Sequence, residues 1–121
     1  SANYKVKPVS QVEPEEIILD IGPGTVKLFA DFIKKAQTII WNGPLGYFEN
    51  NHFKHGTLAV DRLVAARSTG QAYGAVGGGE TIEALKWTKM DHYIDWVSTG
   101  GGAMLAFLGG EPMPGLKGIV K

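Results

Sequence analysis

Apolar residues along this chain alternate between two spacings. After Asp20-Ile21-Gly22-Pro23, a turn signal, Val26, Leu28, Phe29, Phe32 and Ile33 follow the i, i+3, i+4, i+7 rule, which predicts a helix from Thr25 to about Ala36. Thr38–Trp41 is too short for a helix and is rich in β-formers. It ends in the breaker Asn42-Gly43-Pro44, so it reads as a strand. Phe53, Leu58, Ala59, Leu63 and Val64 predict a second helix within 50–68, weakened early by Gly56 and closed by a glycine cap at Ser68-Thr69-Gly70. A strand at 71–76, a helix through Thr81, Ile82, Ala84, Leu85 and Trp87, a strand at 93–98 and a helix at 103–108 follow. Residues 1–16, polar and carrying Pro8 and Pro14, read as a connecting segment, and Ile17–Leu19 as a possible fourth strand.

Strands separated by helices of this length must run parallel with right-handed crossovers. The fold class is therefore α/β: a partial Rossmann-like parallel sheet with flanking helices, in three α/β/α layers. Three or four strands are fewer than the five or six of an ordinary doubly wound sheet, which suggests part of a domain.

Seventeen glycines change the picture, because they cluster at the predicted turns. Gly77-Gly78-Gly79 and Gly100-Gly101-Gly102 each end a strand and open a helix. Consecutive glycines there leave backbone N–H groups unobstructed, with the positive end of a helix dipole behind them. That combination holds phosphate. Tight strand–helix packing without a ligand is the alternative. A dinucleotide fingerprint does not fit at Gly77, where the sixth residue is Ile82, or at Gly22, where it is Lys27. Gly110 and Gly115 have Walker A spacing, but Leu116 stands where lysine is required.

Glu80 and Thr81 follow the first triplet. They read equally as helix-capping residues or as a carboxylate for phosphate-borne Mg²⁺ and a hydroxyl for a phosphate oxygen. In Trp41–Glu49, Tyr47 offers a flat wall for a base, and Glu49 an acceptor for ribose hydroxyls. His52 and His55 are three apart, but no third ligand follows at sensible spacing, so they read as exposed surface. Lys34-Lys35 and the lysines of 86–89 read as solvated helix faces.

Twelve acidic and twelve basic residues balance, so no global field draws in nucleic acid or an anionic membrane. The absence of cysteine excludes disulfides and thiolate sites. The apolar run Ala103–Leu108 is far below the ~20 residues of a membrane span, and no leader pattern opens the chain. A soluble, cytoplasmic protein is the expectation.

WNGPLGYFE at Trp41–Glu49, GGGET at Gly77–Thr81 and STGGGA at Ser98–Ala103, preceded by DIGP at Asp20–Pro23, closely resemble in order the last signature segments of phosphoglycerate kinase. Pro114-Gly115-Leu116 resembles the family's ending, and the resemblance covers residues 17–118. It implies a glycolytic kinase of two Rossmann-like lobes, transferring a phosphoryl group reversibly between 1,3-bisphosphoglycerate with MgADP and 3-phosphoglycerate with MgATP. Residues 17–121 would form the C-terminal half of the nucleotide lobe. The implied cofactors are ATP or ADP and Mg²⁺. Asn42, Gly43 and Pro44 would border the nucleotide, Tyr47 would line the adenine and Glu49 would bind ribose. Gly77, Gly78, Gly79, Glu80 and Thr81 would hold phosphates, with Glu80 on the metal. Thr99, Gly100, Gly101 and Gly102 would hold the phosphoryl group in flight. Gly77, Gly78, Gly100 and Gly101 would be closest to the chemistry.

The chain departs from the family at Glu80, usually Asp, and at Gly24, usually Lys or another polar residue. It lacks the amino lobe's basic patch, which binds 3-phosphoglycerate, and the Gly-Gly-Ala-Lys-type segment. The expectation is an inactive piece of a monomeric enzyme, which would self-associate through its cut sheet. The alternative is a non-catalytic nucleotide-binding or structural fragment.

Overall fold

A parallel sheet of three strands, side by side in chain order, organises the chain, in a computed structural model that describes residues 4–111. The elements are α1 (Pro23–Lys35), β1 (Thr38–Asn42), α2 (His55–Ser68), β2 (Tyr73–Gly77), α3 (Gly79–Thr88), β3 (Trp96–Ser98) and α4 (Gly101–Leu108). The alternation of strand and helix expected from the two spacings is present. The ending at Pro114-Gly115-Leu116 and the motif involving Gly115 and Leu116 lie outside the described residues.

Side chains alternate across a strand, so pairing decides which residues share a face. Ile39 pairs with Gly74 and Trp41 with Val76, and Val76 in turn pairs with Val97. On this face Ile39, Trp41 and Val76 join Val60, Val64 and Ala65 of α2 and Leu85 of α3 in one buried cluster. Val64, Val76 and Leu85 are almost wholly buried, and each such side chain stabilises the fold by about 1.5–3 kcal/mol. The other face is open: Ile40, Tyr73 and Trp96 are 47%, 51% and 60% exposed. The helix α4 returns to touch β2.

Boundaries differ from the sequence reading where backbone pairing overrides pattern. The second strand starts at Tyr73 and runs through Gly77, because Asn42 of β1 pairs with that glycine. The third starts at Trp96; Asp91–Tyr93 instead form a 3₁₀ turn, and Ile94 is buried after it. Asn50–Phe53 close into turns ahead of α2, through Asn50 N–H to Tyr47 O and Phe53 N–H to Asn50 O. Ile17–Leu19 joins no strand; Leu19 O accepts instead from Tyr47 N–H at 2.7 Å. The residue capping α2 is Thr69, in right-handed geometry, with Gly70 in the turn beyond. The left-handed cap lies after α3, at Lys89 with φ 59°.

The segment before Ile17 is mostly exposed and carries a 3₁₀ turn at Val9–Gln11. It is drawn together by an ion pair from Lys7 Nζ to Glu16 Oε1 at 2.7 Å. That ammonium holds the Glu16 carboxyl below its ordinary value, helped by the Glu13 N–H.

Candidate functional site

Parallel pairing in register brings the ends of the strands level. Asn42 pairs with Gly77, and Gly77 with Ser98, so the three glycine-rich loops leave the sheet side by side at its carboxyl edge. In open α/β sheets this edge is where ligands bind.

The first loop, Asn42–Glu49, is tied down at nearly every step. Trp41 Nε1–H donates to Gly43 O at 2.7 Å, and Gly43 N–H donates to Thr81 Oγ1 at 2.7 Å. Leu45 N–H donates to Thr57 Oγ1 at 2.9 Å, while the Thr57 hydroxyl donates back to Leu45 O. Phe48 is 1% exposed and packs on Trp87 with ring centroids 5.1 Å apart. Its neighbours Tyr47 and Glu49 are thereby turned outward, and both are exposed. Pro44 is half-buried within this braced turn.

The second loop bends into α3 at Gly78, whose φ of 93° disfavours any residue with a Cβ. A Cβ there would also come within 3.3 Å of Asn42 Oδ1 and 3.4 Å of Thr81 Oγ1. Gly79 and Glu80 are exposed, and the N-cap residue of α3, Gly78, makes no side-chain capping bond. Gly77, at the end of β2, and Thr81 are the buried members of this segment. Thr81 is fully buried, and its hydroxyl oxygen joins the second loop to the first.

The third loop is closed by Gly100 N–H donating to Ser98 Oγ at 3.3 Å, and α4 follows, also without a side-chain cap. Thr99, Gly100 and Gly102 are exposed, and Gly101 is the first residue of α4. Two helix N-termini thus open at the same edge, each with a glycine at its N-cap that brings no side-chain oxygen to the first N–H groups. Such an edge can accept the oxygens of an anion through backbone N–H groups.

Glu80 is the one acidic residue in the first turn of α3, and no group of three or more His, Cys, Asp or Glu forms among the described residues. His52 and His55 are both exposed, and His52 rests against Tyr4 with ring centroids 4.9 Å apart. A groove of about 490 Å³ runs between α1 and β1, lined by apolar side chains such as Phe29, Phe32 and Ile40, and reaches Asn42 and Gly43. Thr57 and Asp20 are the residues the sequence did not single out. Each bonds backbone groups of a distant segment; Thr57 follows Gly56, and Asp20 opens the turn Asp20–Pro23, which were the only local signals.

The family model for phosphoglycerate kinase matches residues 1–111. Among curated relatives, phosphoglycerate kinase of Nitratidesulfovibrio vulgaris is 46% identical over 94% of this chain and 28% of its own length. That of Rhodospirillum centenum is 41% identical over 98% and 30%. The solved phosphoglycerate kinase of Coxiella burnetii superposes with a TM-score of 0.86 at 41% identity, over 97% of this chain and 29% of that one. That of Pyrococcus horikoshii superposes at 0.74, with 37% identity. The chain spans under a third of the length of these relatives.

Proposed function

The chain belongs to the phosphoglycerate kinase family, and we propose on that premise that it forms the nucleotide-holding edge of such an enzyme and binds ADP or ATP with Mg²⁺. The observation that carries this is the alignment of three glycine-rich loops at one sheet edge, with two helix N-termini opening beside them. Tyr47 lies against the adenine, and Glu49 accepts the ribose hydroxyls. Amides of Gly77, Gly78 and Gly79 hold the nucleotide phosphates. Thr99, Gly100, Gly101 and Gly102 receive the oxygens of the phosphoryl group as it passes between the acyl phosphate of 1,3-bisphosphoglycerate and the terminal oxygen of ADP.

Glu80 and Trp87 lie seven residues apart on α3, about 10 Å along its axis. Phe48 is anchored at the Trp87 end, so Glu49 and Glu80 sit toward opposite ends of an extended nucleotide. A single exposed carboxylate suits Mg²⁺ that arrives on phosphates, since this ion keeps one or two carboxylates and fills its remaining positions with phosphate oxygens and water. When bound, that ion neutralises charge on the phosphates.

None of the three loops contains lysine or arginine. In phosphoryl transfer such cations supply factors of about 10³ or more. The remainder of a longer polypeptide would supply them, together with the 3-phosphoglycerate site, so this chain binds nucleotide without turning it over. No helix among the described residues is long and apolar enough to cross a membrane.

Calorimetric titration of ADP, with Mg²⁺ and with EDTA, tests the assignment. Glu49→Ala should weaken binding in both conditions by ten- to a hundredfold, corresponding to about 1.5–3 kcal/mol for charged hydrogen bonds. Glu80→Ala should abolish the Mg²⁺ dependence and leave metal-free binding unchanged or slightly stronger. Equal losses for both variants in all conditions would refute the roles given to these carboxylates.

A further inference from the structure

The side chain of Asp20 gathers three separate segments. Its Oδ1 accepts from Ile21 N–H at 2.8 Å, and its Oδ2 accepts from Gly56 N–H at 3.0 Å. Gly56 lies in the first turn of α2, so the carboxylate faces the positive end of that helix. The third segment is the first loop. A Cβ on Gly46, itself at φ 68°, would stand 2.7 Å from Asp20 Oδ1 and 2.8 Å from its Cα, and one on Gly56 would collide with Asp20 Oδ1 and Ile21. Immediately beside this contact, Leu19 O holds Tyr47 N–H at 2.7 Å.

Two glycines on different elements are thus fitted around one carboxylate, and the residue after one of them is Tyr47. The same loop is held to α3 at its other end, where Gly43 N–H donates to Thr81. Its two supports meet it at different residues, Asp20 and Leu19 at Gly46 and Tyr47, and Thr81 at Gly43.

We infer that Asp20 is a positioning residue for the nucleoside end of the site, fixing where Tyr47 and Glu49 stand without touching the ligand. The inference rests on the nucleotide reading above. A carboxylate that merely capped α2 would weaken every property of the fold together. One that positions Tyr47 and Glu49 affects recognition of the nucleoside and spares recognition of phosphate.

The test uses the whole 121-residue chain with adenosine and inorganic tripolyphosphate as separate calorimetric probes, and amide hydrogen exchange in the absence of both. Asp20→Ala should weaken adenosine by about tenfold, as re-ordering two freed side chains at the binding step implies, and change tripolyphosphate by less than about twofold. Asp20→Asn, retaining one acceptor oxygen, should fall between parent and Asp20→Ala. Gly56→Ala, which presses on the carboxylate from the other side, should reproduce the selective loss. Exchange at Tyr47 and Gly56 should quicken in Asp20→Ala ahead of exchange in β2. Equal loss for both probes, or unchanged adenosine affinity, would overturn the inference. If the parent chain binds neither probe, the nucleotide reading fails and exchange decides the joint by itself. Faster exchange confined to Tyr47 and Gly56 would then support it, and unaltered Tyr47 exchange would overturn it.

Discussion

Replacing Asp61 by asparagine should stabilise this protein at neutral pH and leave it unchanged in acid. Asp61 is fully buried on the inner side of α2. Its Oδ2 accepts from Thr88 Oγ1 at 2.5 Å, but its Oδ1 has no partner among the described residues. Burial pushes the carboxyl above its ordinary value, against the weaker pull of the Thr88 hydroxyl and Arg62. The direction sets the sign. Below about pH 3.9 the group is protonated in both states and its contribution is fully present. As pH rises, the unfolded chain releases its proton first, so stability declines until the folded carboxyl has also ionised. A buried polar atom left unpaired costs about 1–3 kcal/mol, and more if charged. Asp61→Asn keeps the shape and an acceptor for Thr88 but cannot ionise. The amide nitrogen still lacks a partner, so the gain is only that of not burying a charge: it should grow from near zero at pH 3.5 to roughly 1–3 kcal/mol at pH 7. Thermal melts followed by circular dichroism at several pH values would read this as a rise of about 4 °C per kcal/mol for a chain of this size. An advantage independent of pH, or a variant less stable than the parent at pH 7, would refute the reasoning.

Gly78→Ala should lower stability by about 1–2 kcal/mol, the usual penalty for a Cβ in left-handed backbone, and an unaltered melting temperature would contradict the φ of 93°. The open sheet face of Ile40, Tyr73 and Trp96 should drive self-association, since monomers rarely leave contiguous apolar patches beyond about 300–600 Å². Size-exclusion chromatography with light scattering showing a monomer at every concentration would count against it. A coupled assay should detect no 3-phosphoglycerate-dependent consumption of ATP by this chain, because its three loops carry no cation. Measurable turnover would refute that account.

The parts of the molecule legible in the sequence are those whose signals are local. The stripe of Val26, Phe29 and Ile33 marked α1, and the run Thr38–Trp41 before Asn42-Gly43-Pro44 marked β1. The glycine triplets marked strand ends, because a sharp turn into a helix constrains adjacent residues. What was not legible depends on partners far along the chain. Thr81 and Gly43 are separated by 38 positions, and Asp20 and Gly56 by 36. A hydrogen bond across such a gap leaves no periodic trace, so Thr81 read as a helix cap or a phosphate-facing hydroxyl and Asp20 as part of a turn. Gly56 looked like a flaw in a helix, whereas its missing side chain makes room for Asp20. The third strand was overextended because Tyr93 and Ile94 have strand-like chemistry, but the 3₁₀ turn at Asp91–Tyr93 takes up the backbone bonds that a longer strand would need.

The hydrogen bond between Gly43 and Thr81 has a consequence for how tightly this edge can hold anything. A loop rich in glycine ordinarily samples many conformations, and a ligand that freezes it loses affinity to that ordering, about 0.5–1.5 kcal/mol for each mobile side chain immobilised. Here the bond fixes the first loop to the helix that carries the second, so both are already arranged as one rigid surface when a ligand arrives. The entropy of that arrangement is spent during folding and not at each encounter. Cutting the bond, as Thr81→Val would, returns that ordering cost to the binding step.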